Sequence, residues 1–116
     1  MRLLLLLLLA AIASLSCFAA EQAWPFDQSP NVAAITQRQV LYEKAPILLV
    51  SHDAEDHGWQ FLTGSIPPSS GNAAVAGLGQ LVRIDPSLKE IADLPVGWRA
   101  HRERVGAKWV REKKAK

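Results

Sequence analysis

Short apolar stretches alternate with polar ones along most of this chain, and their periods predict its elements. Ile47-Leu48-Leu49-Val50 is an unbroken apolar run, the pattern of a central strand buried on both faces. Gly58 to Thr63 alternates, with Trp59, Phe61 and Thr63 on one face and Gln60 and Leu62 on the other, as a strand does. The polar stretch His52 to His57 joins the two runs, which predicts a β-hairpin with a long acidic tip. Before it, Val32 to Ile35 reads as a short strand. Thr36 and Gln39 have capping-box spacing for a helix from about Gln37 to Glu43, and Pro46 stops that helix.

After the hairpin, Ser65 to Asn72 reads as a loop, Ala73 to Gly77 as a short strand and Gly79 to Ile84 as a helical turn. Asp85-Pro86 is a helix start, an acidic N-cap followed by proline at the first helical position. Leu88, Ile91 and Ala92 then share one helical face, and Pro95 and Gly97 end the segment. Trp98 to Glu103 alternates, with Trp98, Ala100 and Arg102 pointing one way. Val105-Gly106-Ala107 is a turn, and Lys108 to Arg111 is a last strand carrying Trp109. The sum is an α+β domain, a small mostly antiparallel sheet with two short helices.

The first twenty residues follow a different grammar. Met1-Arg2 is a positive end, Leu3 to Ala13 is apolar, and Cys17-Phe18-Ala19 fits the small-x-small pattern before a cleavage site. This predicts a signal peptide over 1–19, cut between Ala19 and Ala20, and a periplasmic or secreted product. The apolar run falls short of the roughly 20 residues that span a bilayer. The alternative is a lipoprotein anchored through Cys17, with Ser16 in its favour and Ser14, where such signals carry leucine, against it.

Removing 1–19 leaves 97 residues, enough for one domain. The expected organisation is an irregular arm over 20–34, a domain over 35–112 and a basic tail over 113–116. Cys17 is the sole cysteine, so the processed chain has none, which excludes disulfides, zinc–thiolate sites and a cysteine nucleophile. Stability must then rest on a hydrophobic core, for which Trp24, Trp59, Trp98 and Trp109 are available. Charge is segregated: Ala20 to Val96 holds four Lys/Arg against nine Asp/Glu, and Gly97 to Lys116 holds eight against two. The bland reading of the basic end is a solvated strand and frayed tail. The sharper one is a patch for anionic lipid or polymer.

His52-Asp53-x-x-Asp56-His57 is the dense polar cluster. Its residue types suit a divalent metal, which makes a metal-dependent hydrolase the enzymatic alternative, but a hairpin tip needs the same residues as a solvated turn. No serine stands in a G-x-S-x-G elbow, and Gly77-Leu78-Gly79 lacks the third glycine of a nucleotide loop. The chain therefore reads as non-catalytic, with no cofactor and no nucleic-acid partner.

Asp56-His57-Gly58-Trp59-Gln60-Phe61-Leu62-Thr63-Gly64 resembles the D-x-G-W-x-F-x-x-G signature of a small bacterial family without assigned chemistry, grouped with immunity proteins of polymorphic toxin systems. Asp85-Pro86-Ser87-Leu88, Leu94-Pro95-Val96-Gly97-Trp98 and Trp109-Val110-Arg111 extend the resemblance over about Ile35 to Glu112. It implies an α+β fold and a toxin-neutralising, protein-binding role. An export signal departs from the cytosolic habit of such domains. Asp56, Gly58, Trp59, Phe61, Trp98 and Trp109 are the candidate partner surface. Membrane contact is expected only through a lipidated Cys17 or the basic tail.

Overall fold

The computed structural model describes residues 23–115. The expected signal peptide, its expected cleavage site at Ala19–Ala20 and the Cys17 alternative lie outside them. Six strands form one sheet: β1 (Ala33–Gln37), β2 (Leu49–His52), β3 (Trp59–Leu62), β4 (Ala73–Gly77), β5 (Trp98–His101) and β6 (Val110–Lys113). Their spatial order is β4-β1-β3-β2-β5-β6. Every neighbouring pair is antiparallel except β1 and β3, which run parallel. Three short helices complete the domain: α1 (Arg38–Tyr42), α2 (Leu78–Ile84) and a 3-10 helix (Pro86–Ile91).

The hairpin of β2 and β3 forms in the register Leu49 opposite Leu62 and Val50 opposite Phe61. Its strand begins at Leu49 rather than Ile47, because the Ile47 carbonyl is taken by a side chain from β5's end, described below. Asp85 caps the 3-10 helix as its spacing predicts, accepting from the Ser87 N–H at 3.0 Å. The capping box at Thr36 does not form. Thr36 is the fourth residue of β1, and its hydroxyl donates 2.6 Å to the Phe61 carbonyl across the parallel pair. The last strand starts two residues later than its alternation predicts and runs through Lys113.

One face of the sheet is packed. Ala34, Val50, Trp59, Phe61, Ala76 and Ala100 join Val40 of α1, Leu78, Leu81 and Val82 of α2, and Leu88 and Ile91 of the 3-10 helix in one buried cluster. The arm is part of it. Phe26 meets the Trp59 ring edge-on at 5.1 Å, Trp24 lies 5.2 Å from Phe26, and the Gln28 side-chain amide donates 2.7 Å to the His57 carbonyl. Burying those two rings offsets the cost of ordering a proline-broken segment.

Candidate functional site

The polar cluster at the hairpin tip does not hold together as a site, nor as a wholly solvated turn. His52 ends β2 and is buried, its ring stacked on Trp59 with centroids 3.9 Å apart and Nδ1 2.7 Å from the Leu94 carbonyl. Its Nε2 is buried 3.5 Å from an Asp27 carboxylate oxygen without forming a hydrogen bond. Asp53 turns to the opposite face of the sheet. Asp56 and His57 are exposed on the turn, where Asp56 accepts from the Gly58 N–H at 2.8 Å. Period two explains the dispersal, since neighbours on a strand point to opposite faces. Among the described residues, no three His, Cys, Asp or Glu side chains converge on a common point.

The motif residues also separate. Trp59 is 2% exposed and Phe61 fully buried, so neither can meet a partner. Trp98 and Trp109 are half-buried against the core. The Arg102 guanidinium lies 4.2 Å above the Trp109 ring, close enough for a cation–π contact. Asp56 and Gly58 serve the turn: a Cβ at Gly58 would stand 2.9 Å from the Asp56 carboxylate oxygen that its own N–H engages. The D-x-G-W-x-F phrase thus spells a turn and two core rings.

Arg102 is the buried charge that alternation placed beside Ala100 without identifying its role. Its guanidinium donates to the Ile47 carbonyl at 2.9 Å and to Ser87 Oγ at 2.8 Å, and it pairs with Asp85. One side chain therefore ties β5, the lead-in to β2 and the 3-10 helix together. It satisfies the acceptors that a buried charge requires.

The face of the sheet that carries no helix is where solvent-accessible chemistry gathers, beside the end that the loop after β3 closes over, where Gln37 Nε2 donates to the Ile66 carbonyl. A single register row crosses all six strands: Val75, Ile35, Gln60, Ser51, Arg99 and Glu112. At one end Val75 and Ile35 are 68% and 43% exposed. At the other, Arg99 Nε donates to Glu112 Oε1 at 2.6 Å. Between them Asp53 accepts from Ser51 Oγ at 2.6 Å, Gln60 Nε2 at 2.7 Å and Lys114 Nζ at 2.7 Å. Burial works to raise the Asp53 carboxyl. The hydrogen bonds from Lys114, Ser51 and Gln60, with the Lys114 charge, outweigh it and hold the group below the usual carboxylate range. Lys114 Nζ also donates to Ser51 Oγ at 2.7 Å. The cluster is a clamp holding residue 114 to β2 and β3.

Three of the eight cations of the basic end pair with the acidic body. Arg102 pairs with Asp85, Arg111 with Asp93 at 2.8 Å, and Lys114 with Asp53 at 2.7 Å. Lys113 lies within β6 and the Lys114 N–H donates to the Gly97 carbonyl at 2.9 Å, so these residues belong to the sheet, not to a loose tail. A separate groove of about 530 Å³ runs between α1 and the 3-10 helix, lined by Leu41, Ala45, Pro46, Ile84, Pro86 and Val105. Its lining is apolar apart from Lys44 and Asp85, and Asp85 is already held by Arg102 and Ser87. Ser51, Gln60, Lys114, Ile35 and Val75 were not singled out as site residues by sequence pattern. Only the strand order brings them onto one face. No family profile, no curated protein and no solved structure matches this chain.

Proposed function

We propose that this chain is an exported, non-catalytic domain that binds another protein on the open face of its sheet, in an inhibitor- or immunity-like role. The observation that carries the reading is the row Val75–Ile35–Gln60–Ser51–Arg99–Glu112, apolar at one end, charged at the other and uncovered by any helix. Its residues are held in place by strand pairing and by the Asp53 clamp, so the surface is pre-organised, which lowers the entropic cost of binding. The pairing of Arg102, Arg111 and Lys114 with body carboxylates takes those three charges away from the lipid-binding alternative and leaves it the exposed Lys108 and Lys113. The immunity resemblance rests on residues that build the turn and core, so it supports a shared scaffold more than a shared target.

Photo-crosslinking in the producing cell tests the reading. A benzophenone side chain at Gln60 or Arg99 should give one discrete protein adduct in the envelope fraction, and one at Tyr42 or Ile84 on the helical side should give none. Absence of adducts from both open-face positions overturns it. The intact mass of the recovered protein tests export separately, with Ala20 as the expected first residue.

A further inference from the structure

The two edges of the sheet are unlike. β6, Val110-Arg111-Glu112-Lys113, carries three charges, the usual guard of an exposed edge. β4, Ala73-Ala74-Val75-Ala76-Gly77, carries no charge, no proline and no side chain larger than valine. We infer that β4 is the interface between two copies of this chain, paired antiparallel about Val75 into one twelve-stranded sheet.

The backbone supplies the pattern. The Arg38 N–H donates to the Asn72 carbonyl and the Leu78 N–H to the Val32 carbonyl, so residues 72, 74, 76 and 78 are the ones bonded to β1. By the alternation of an antiparallel ladder, the N–H and C=O groups of Ala73, Val75 and Gly77 point outward. The Ala73 N–H is taken by the Ser69 carbonyl at 3.0 Å. What remains is self-complementary. Two Val75 residues facing each other exchange both of their bonds, and each Gly77 N–H reaches the partner's Ala73 carbonyl. An uncharged edge lets identical copies meet without like-charge repulsion, whereas a charged foreign peptide finds nothing there to steer it. Pairing also joins the exposed Val75 and Ile35 of both copies into one apolar stripe. The charged β6 edges lie outermost and close the assembly at two. The interaction stands on the edge alone and does not depend on the binding role of the open face.

A five-residue ladder buries far less than the roughly 800 Å² per partner of a standard interface, so the dimer is weak and concentration-dependent. Sedimentation equilibrium of the purified protein should show the mass rising from one chain towards two between about 10 µM and 1 mM. Val75→Lys opposes two like charges across the two-fold axis. Val75→Pro deletes an N–H that the monomer does not use. Both variants should stay monomeric over that range and melt, when dilute, within error of the wild type. Amide exchange at Val75 and Gly77 should slow with concentration, and that at Arg111 to Lys113 should not. A wild type monomeric at 1 mM overturns the inference and leaves the edge to a strand of a different protein. So does a dimer that both variants preserve, or one that protects β6 instead.

Discussion

Trp59 is the residue on which the most packing converges: His52 stacks on one side of it, Phe26 meets it edge-on, and Phe61 lies 5.9 Å away. Its Nε1 donates to Asp27 at 3.2 Å, which ties the arm to β3. Trp59→Ala should cost about 3–5 kcal/mol, as for a large aromatic removed from a core. Urea denaturation measures it, and a wild-type-like midpoint would mean that the ring is not buried. A smaller effect of opposite sign is expected at two turns. Lys44 and His57 both sit in the left-handed region, at φ of 57° and 59°. Lys44 closes α1, where the Ala45 N–H reaches back to the Gln39 carbonyl, a geometry that glycine adopts without strain. Lys44→Gly and His57→Gly should each stabilise by up to about 1 kcal/mol, the relief of a left-handed side chain. Unchanged or lower stability in both would show that the backbone there is not strained.

Between elements, polar side chains do what a small apolar core cannot do alone. Arg102→Ala leaves Asp85 Oδ2 and the Ile47 carbonyl without the guanidinium donor, while Asp85 Oδ1 keeps Ser87. It should destabilise by about 3–5 kcal/mol, and Arg102→Lys should recover little, since an ammonium cannot reach several acceptors at once. Asp53 gives the molecule a pH dependence. Its carboxyl is depressed in the folded state, so the clamp's stabilisation is fully present above the unfolded value near 3.8 and is lost as pH falls through the lower folded value. Melts from pH 6 to about pH 2 should show Asp53→Asn already weakened at pH 6 and falling less steeply with acid. Asp93 is depressed as well, through its hydrogen bond to Arg111, but it is exposed. Its share should be screened at about 0.5 M salt while that of Asp53 persists. An acid limb identical in Asp53→Asn and wild type would contradict the clamp.

For the whole molecule, chain order and spatial order disagree, and that disagreement sets its cooperativity. β5 and β6 are last in sequence, yet β5 pairs with β2 and contributes Ala100 to the packed face, with Arg102 buried just past its end. A fragment ending at Val96 should therefore fail to fold, as read by far-UV circular dichroism and amide dispersion. Deleting only Lys113 to Lys116 should lower the melting temperature measurably, because Lys114 bonds both Gly97 and the Asp53 cluster. A melt unchanged by that deletion would return these residues to the status of a loose tail.

Local pattern was enough to determine the hairpin of β2 and β3, the strand at Ala73, the Asp85 cap and the mostly antiparallel sheet, because periods of two and 3.6 and the turn chemistry of Gly, Pro and Asp act over a few residues. It also placed Trp98, Ala100 and Arg102 on one face. It did not reveal that Thr36 bonds across to Phe61 rather than capping a helix, that His52 lies inside while His57 lies outside, or that Lys114 is anchored. Each of those depends on which strand lies beside which, and alternation names a face without naming a neighbour. The same holds for charge. The sequence shows an acidic body and a basic end, and only the tertiary fold matches Arg102 with Asp85, Arg111 with Asp93 and Lys114 with Asp53. Opposite charges remote along the chain are brought within 4 Å by strand order, a long-range consequence of packing that no local window contains.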